Sequence, residues 1–285
     1  MTTVQEQPLI IFLHLPKTAG STLARIIERQ YKASAILHLY ESSFGEELVA
    51  IPQNRMELVR IVMGHLYFGA HAFLSQPCTY LTMLRDPVDR VISHYNYVRQ
   101  QPSHYLYEEA CRMSLRDYVE FCGRQEPNND QTRLLAGGCN VPNFGQCSEE
   151  MLNIAKRNLA NHFAVVGLTE EFDRSLIIMK RAFKWRDPFY ISENVGQVRA
   201  RKEKIPQDTL RVIENYNALD IELYRYATER FQEQVRLQGK SFDQEIRIFR
   251  TLNASYGQLE LFVSSAIGKL RKRYIRFSHH PISDG

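Results

Sequence analysis

Three short stretches of this 285-residue sequence carry side chains suited to chemistry on anions. The first is Pro16-Lys17-Thr18-Ala19-Gly20-Ser21-Thr22, directly after an apolar run from Leu9 to Leu15. Where a strand turns tightly into a helix, successive backbone N–H groups and the positive end of the helix dipole converge on one point, which favours phosphate or sulfate. Lys17 adds a full charge there, and Ser21 and Thr22 add hydroxyl donors. The second stretch places Arg85 eight residues before Ser93, within and after Leu84-Arg-Asp-Pro-Val-Asp-Arg90. Arginine offers a phosphate a planar fork of donors and serine a single hydroxyl; pairing of Arg85 with a carboxylate is the alternative. The third is Gly64-His65, closing an apolar run. Imidazole takes up a proton near neutral pH without a special environment, although a hydrogen-bonded structural histidine also fits.

These residues need a scaffold that brings them to one edge, and the hydrophobic pattern supplies it. Leu9 to Leu15 suits a buried parallel strand, and Ser21 onward starts a helix with Leu23, Ile26 and Ile27 on one side. Ala35 to Tyr40 reads as a strand, and Glu46 to Arg60 as a surface helix interrupted at Pro52. Arg60 to His65 is a further strand, which carries His65 to the edge where parallel sheets present ligand sites. A strand ending near Leu84 precedes a well-marked helix start: Asp86 fits the N-cap, Pro87 the first helical position, and Val88, Val91, Ile92, Tyr95 and Val98 form an apolar stripe. Arg85 then stands at a strand's carboxyl end, with Ser93 about two turns into the next helix. Helices over Ser114–Cys122, Ser148–His162 and Glu170–Phe183, a buried strand over Phe163–Leu168, and one or two helices over Asp208–Val235 complete an α/β pattern.

The loop is not the usual nucleotide P-loop, because Lys17 precedes Gly20 and the first glycine of G-x-x-x-x-G-K-[ST] is missing. Pro-Lys-Thr-Ala-Gly-Ser-Thr instead resembles the 5′-phosphosulfate loop of sulfotransferases, in particular the branch containing the heparan sulfate 2-O- and 6-O-sulfotransferases. Arg85 and Ser93 have the spacing of the family pair that binds the 3′-phosphate of 3′-phosphoadenosine 5′-phosphosulfate (PAPS), and Gly64-His65 resembles the segment carrying the catalytic histidine of the 2-O-sulfotransferase. Asn128 to Leu135, Val166 to Asp173 and Leu219 to Tyr226 are also similar to that branch. The resemblance implies a P-loop-like three-layer fold, a central parallel sheet flanked by helices, over residues 1–238, with a C-terminal helical extension over residues 239–285. It further implies a PAPS-dependent O-sulfotransferase working by in-line displacement. Lys17 to Thr22 would hold the phosphosulfate, Lys17 would stabilise the leaving oxygen, Arg85 and Ser93 would hold the distal phosphate, and His65 would be the general base. In the family a basic loop closes over the cofactor's phosphates; here it holds Arg199, Arg201, Lys202 and Lys204, of which Arg199 and Arg201 are favoured because arginine grips phosphate more specifically. The implied acceptor is a hydroxylated glycan or glycolipid.

Composition limits the other classes. With 44% hydrophobic and 24% charged residues the chain can bury a full core, and a net charge of +4 suits anionic substrates without implying nucleic acid. No basic leader or run of about 18 apolar residues appears, so a cytoplasmic protein is expected, and the lack of a Golgi-type anchor suggests a bacterial one. Five cysteines without a C-x-x-C pair argue against zinc, while a Cys139–Cys147 bridge stays open. No acidic cluster suggests magnesium, so no metal is expected. Phe249, Leu252, Tyr256, Leu259, Val263, Ala266 and Leu270 form a narrow helical seam that either pairs with a second copy over residues 249–270 or folds back on its own domain. Lys269, Arg271, Lys272, Arg273 and Arg276 make its end basic, which suits an anionic acceptor, a membrane surface or simple solvation. Two rival functions remain: an atypical P-loop kinase or nucleotide hydrolase, and a non-catalytic anion- or glycan-binding module.

Overall fold

A computed structural model describes residues 8–39, 44–122, 128–137, 145–191 and 202–259. The apolar runs form the strands β1 (Leu9–Leu13), β2 (Ile36–His38), β3 (Ile61–Gly64), β4 (Cys78–Leu84) and β5 (Phe163–Leu168). All pair in parallel, in the order β2-β3-β1-β4-β5. Every residue of β1 is buried, so both faces of the central strand are covered, which is why its sequence does not alternate with polar residues. The result is the three-layer, P-loop-like arrangement of a parallel sheet flanked by helices.

Strand order fixes where a ligand can sit. After β1 the chain runs through α1 (Gly20–Gln30) out to β2, then through α2 (Phe44–Ala50) and α3 (Gln53–Met56), separated at Pro52, back to β3. It next crosses β1 to reach β4 on the other side. The segments following β1, β3 and β4 therefore lie side by side at the carboxyl edge, at the point where the winding reverses. Register holds them level: Leu13 pairs with Gly64 on one side and Thr82 on the other, and the Thr82 hydroxyl donates to the Leu13 carbonyl at 2.8 Å. Gly64 is required there, because a Cβ would lie 1.5 Å from the Leu39 carbonyl oxygen.

From β4 to β5 the chain passes through α4 (Pro87–Val98), α5 (Tyr107–Arg112), α6 (Leu115–Phe121), α7 (Asp130–Ala136) and α8 (Glu149–Asn161). Asp86 accepts the Asp89 N–H at 3.0 Å with Pro87 at the first helical position, as the sequence predicts. Ser114 and Ser148 cap α6 and α8 in the same way. Three differences from the sequence reading stand out: β1 stops at Leu13, α1 starts at Gly20, and α5 and α7 are helices that the local pattern does not announce.

Past β5 come α9 (Phe172–Phe183), α10 (Gln207–Tyr216), α11 (Ala218–Leu237) and a helix α12 over residues 242–259. Phe242, Ile246 and Phe249 of α12 are buried in the same core as the sheet. Arg174 and Arg181 of α9 pair with Asp243 and Glu245, and Arg250 pairs with Asp173 at 2.7 Å. Two residues of the predicted seam, Phe249 and Tyr256, stack on Phe189 of the same chain at 5.7 Å. Val263, Ala266 and Leu270, the basic stretch from Lys269, and Cys139 lie outside the described residues, and Cys147 is a free thiol.

Candidate functional site

The loop after β1 has an unusual backbone. Lys17 and Ala19, neither of them glycine, both adopt left-handed conformations with φ of 67° and 63°. Each such residue costs of order 1–3 kcal/mol and persists only where its surroundings hold it. Changes of hand between neighbouring residues turn successive N–H groups toward one concavity, an anion nest. Thr18, between them and buried, closes the turn by donating its hydroxyl to the Leu15 carbonyl at 2.8 Å. Ala19 is the N-cap of α1, which has no side-chain cap and no acidic residue in its first turn. An 11-residue helix thus presents its orphan N–H groups and positive dipole end to the loop, with Ser21 exposed and Thr22 half-buried in that turn.

Two cations meet at this loop. Arg85, directly after β4, donates from Nη1 to the Lys17 carbonyl at 3.1 Å. Lys17 Nζ lies 3.8 Å from the centroid of the Tyr97 ring on α4. Burial, and then the Arg85 charge, lower the Lys17 pKa from 10.5 to about 8. Ser93 is half-buried one helical turn before Tyr97, so it shares the α4 face that meets Lys17. Lys202, within the basic stretch, reaches Asp86 beside Arg85 at 3.3 Å. Arg199 and Arg201 lie outside the described residues.

His65 stands where β3 ends. Its Nδ1 is 3.1 Å from the His14 carbonyl oxygen. A carbonyl can only accept, so Nδ1 carries the hydrogen and the lone pair of the neutral ring is on Nε2. The ring stacks on that of His14 with centroids 4.2 Å apart. His65 stays exposed at the rim, yet the protein mass around it strips away water and lowers its pKa below 6.5. Burial, then His65 and Lys17, lower that of His14 to about 3. At neutral pH both rings are uncharged.

Behind Arg85 lies a buried polar hub that the sequence did not reveal. The Gln131 side chain accepts the Arg85 N–H at 3.0 Å and donates to the Arg85 carbonyl at 3.0 Å, pinning the backbone that aims the guanidinium. Gln131 is fixed in turn because Asp220 of α11 receives the N–H groups of Gln131 and Thr132 at the start of α7, and the Thr132 hydroxyl. Arg90, 1% exposed, lies 3.3 Å from Asp130 and 3.9 Å from Asp220, and Arg133 pairs with Asp130. Asn129, left-handed at φ 45°, accepts the N–H groups of Leu219 and Asp220 and so locks α7 to α11. The sequence signals for this hub were the family-like phrases from Asn128 to Leu135 and from Leu219 to Tyr226, the second of which holds Asp220.

Comparison with known proteins follows the same direction. A family model described as galactose-3-O-sulfotransferase matches residues 2–261. Human heparan-sulfate 6-O-sulfotransferase 1 is 27% identical over 277 residues, 79% of this chain and 66% of that protein. Human heparan-sulfate 6-O-sulfotransferase 3 is 32% identical over 281 residues, 81% of this chain and 59% of that protein. The chain therefore spans about three fifths to two thirds of the length of these curated relatives. Mouse sulfotransferase SULT7A1, solved in complex with PAP, is a looser likeness, with a TM-score of 0.41, 16% identity, and coverage of 79% of this chain and 88% of that one.

Proposed function

Because the chain belongs to the galactose-3-O-sulfotransferase family, we propose that it is a sulfotransferase that takes a sulfuryl group from PAPS and places it on a hydroxyl of a glycan. The observation that carries this reading is the meeting of two anion-binding groups at one sheet edge, the Lys17 nest and Arg85, linked through the 3.1 Å contact to the Lys17 carbonyl. A donor with two separate phosphate ends matches two such groups, whereas a simple phosphate needs one.

The donor set fits the cofactor chemically: backbone N–H groups, an ammonium, a guanidinium and hydroxyls, all able to donate to anionic oxygens. When bound, PAPS supplies an activated sulfuryl group with a phosphate as leaving group. Lys17, the nest N–H groups of Thr18 to Gly20, and the first-turn residues Ser21 and Thr22 hold the phosphosulfate end in this reading. Arg85 and Ser93 hold the 3′-phosphate, and Arg199 and Arg201 belong to the loop assigned to cover the phosphates. Lys17 carries its charge next to the place where negative charge develops, which makes it a transition-state stabiliser rather than a mere anchor. His65 takes the proton of the acceptor hydroxyl at Nε2, while Nδ1 keeps its hydrogen on the His14 carbonyl and holds the ring in place.

The acceptor is assigned to glycans because the family and its relatives are named for sugar hydroxyls. The test is incubation with sulfur-labelled PAPS and a panel of heparan sulfate, galactosides and other glycans, together with calorimetry of adenosine 3′,5′-bisphosphate (PAP). Label transfer to at least one glycan and PAP binding are expected. Absence of both overturns the proposal.

A further inference from the structure

The anion loop and His65 come from different strands, yet one ring lies between them. His14 leaves β1 two residues after Phe12, so the two side chains point to the same side, and their rings stack at 5.4 Å with an interplanar angle of 11°. The His14 ring also faces His65 at 4.2 Å, and its backbone carbonyl accepts the His65 Nδ1–H. The same ring occupies the space above Gly20, where a Cβ would lie 1.9 Å from both Cδ2 and Nε2. Phe12, His14 and His65 thus form a stack wedged against the first residue of α1. His14 is 8% exposed, so it has little room to move and solvent does not fill in around it.

Interiors this dense pass small displacements on instead of absorbing them. An anion drawn into the nest pulls on the N–H groups at the start of α1, and any shift of Gly20 presses on the His14 ring. We infer that His14 is a positioning residue, whose ring couples the placement of the anion loop at Gly20 to the orientation of the His65 imidazole. This rests on the sulfotransferase reading, in which the loop holds the cofactor and His65 the acceptor's proton. The benefit would be order: His65 reaches its working orientation when the donor is in place.

The experiment combines kinetics with proton NMR of the histidine rings. The His65 Hε1 resonance is identified by its disappearance in His65→Gln. Adding PAP to the wild-type protein should move that resonance. His14→Ala should keep PAP affinity by calorimetry, lose the response of His65, and lower kcat by about 10²-fold, the scale for a misplaced reacting group. His14→Phe, which retains a flat ring of similar size, should restore both the response and most of kcat. The inference is overturned if His14→Ala turns over at the parental kcat, or if His65 still responds fully to PAP in that variant. Should His14→Ala fail to fold, the wild-type titration decides: PAP that binds calorimetrically without moving the His65 resonance overturns it. A wild-type protein that neither binds PAP nor transfers label defeats the sulfotransferase reading itself, a distinct result.

Discussion

The rate should depend on pH in a bell whose two limbs belong to named residues. His65 must be neutral to accept a proton, and burial sets its pKa below 6.5, so kcat/KM for PAPS rises as pH climbs through that value. Lys17 must be protonated to face an anion, and burial with Arg85 brings its pKa down to about 8, so kcat/KM falls as pH climbs further. With that pKa, about nine tenths of Lys17 is charged at pH 7 and about one tenth at pH 9, a roughly tenfold drop. Since kcat/KM reports the free enzyme and kcat the loaded one, the falling limb of kcat should lie at higher pH, because a bound phosphate favours the charged ammonium. The decisive perturbation is Lys17→Arg. Guanidinium keeps its proton throughout this range, so the variant, though slower, should lose the falling limb while retaining the rising one. Initial rates with labelled PAPS and a glycan acceptor across the pH range provide the assay. A limb near pH 8 that survives in Lys17→Arg refutes the assignment, as does a wild-type profile that stays flat until about pH 10, where an ordinary lysine titrates.

Arg85→Ala should weaken PAP binding by about 1.5–3 kcal/mol, the usual worth of hydrogen bonds to charged groups, or roughly 10- to 150-fold in Kd; unchanged affinity by calorimetry counts against a second anion site. His65→Gln should bind PAP normally and lose about 10²–10⁴-fold in kcat, as expected for a missing general base, and transfer at the parental rate would mean that another group takes the proton. Gln131→Leu removes both hydrogen bonds to the Arg85 backbone and should cost about 1–3 kcal/mol of stability while weakening PAP binding; a denaturation midpoint and a Kd both equal to wild type would show that the pin is idle. PAP at about a hundred times its Kd should stabilise the fold by about 2.7 kcal/mol, and a Tm unmoved by saturating PAP would contradict binding to the native state.

Much of this site was legible because its signals are local. A strand buried on both faces writes itself as an unbroken apolar run, and an Asp-Pro start fixes a helix to the residue, so His65 and Arg85 could be placed at strand ends, and Lys17 in the loop after a strand, from the sequence alone. Tyr97 was not legible as a partner of Lys17. It lies off the apolar stripe of α4, is 42% exposed, and acquires meaning only when β1 and β4 are adjacent. His14 looked like one more strand residue until the register put it against His65 and Gly20. The α7 hub was least legible of all. Asp130, Gln131 and Thr132 form a polar run that resembles a surface loop, and what buries them is Asp220, far along the chain on α11. Long-range polar pairing leaves no periodic trace.

That hub also gives its two buried carboxylates fixed partners. An arginine and a lysine side by side invite a carboxylate, and the hub behind Arg85 buries two, Asp130 and Asp220. Both are already engaged: Arg90 lies between them, Arg133 holds Asp130, and the first N–H groups of α7 occupy Asp220. Breaking such a buried set is costly because it strands a charge away from water, so the acids have little reason to swing toward Lys17. The acidic charge is spent on fixing α7, α7 presents Gln131 to the Arg85 backbone, and Arg85 points across to the Lys17 carbonyl. Burial comes first in lowering the pKa values of Lys17 and His14, with Arg85 adding to it for Lys17 and His65 and Lys17 for His14. A lysine and an arginine meeting at one loop favour a ligand bearing several negative charges, which is the property a bisphosphate nucleotide has and a neutral sugar lacks.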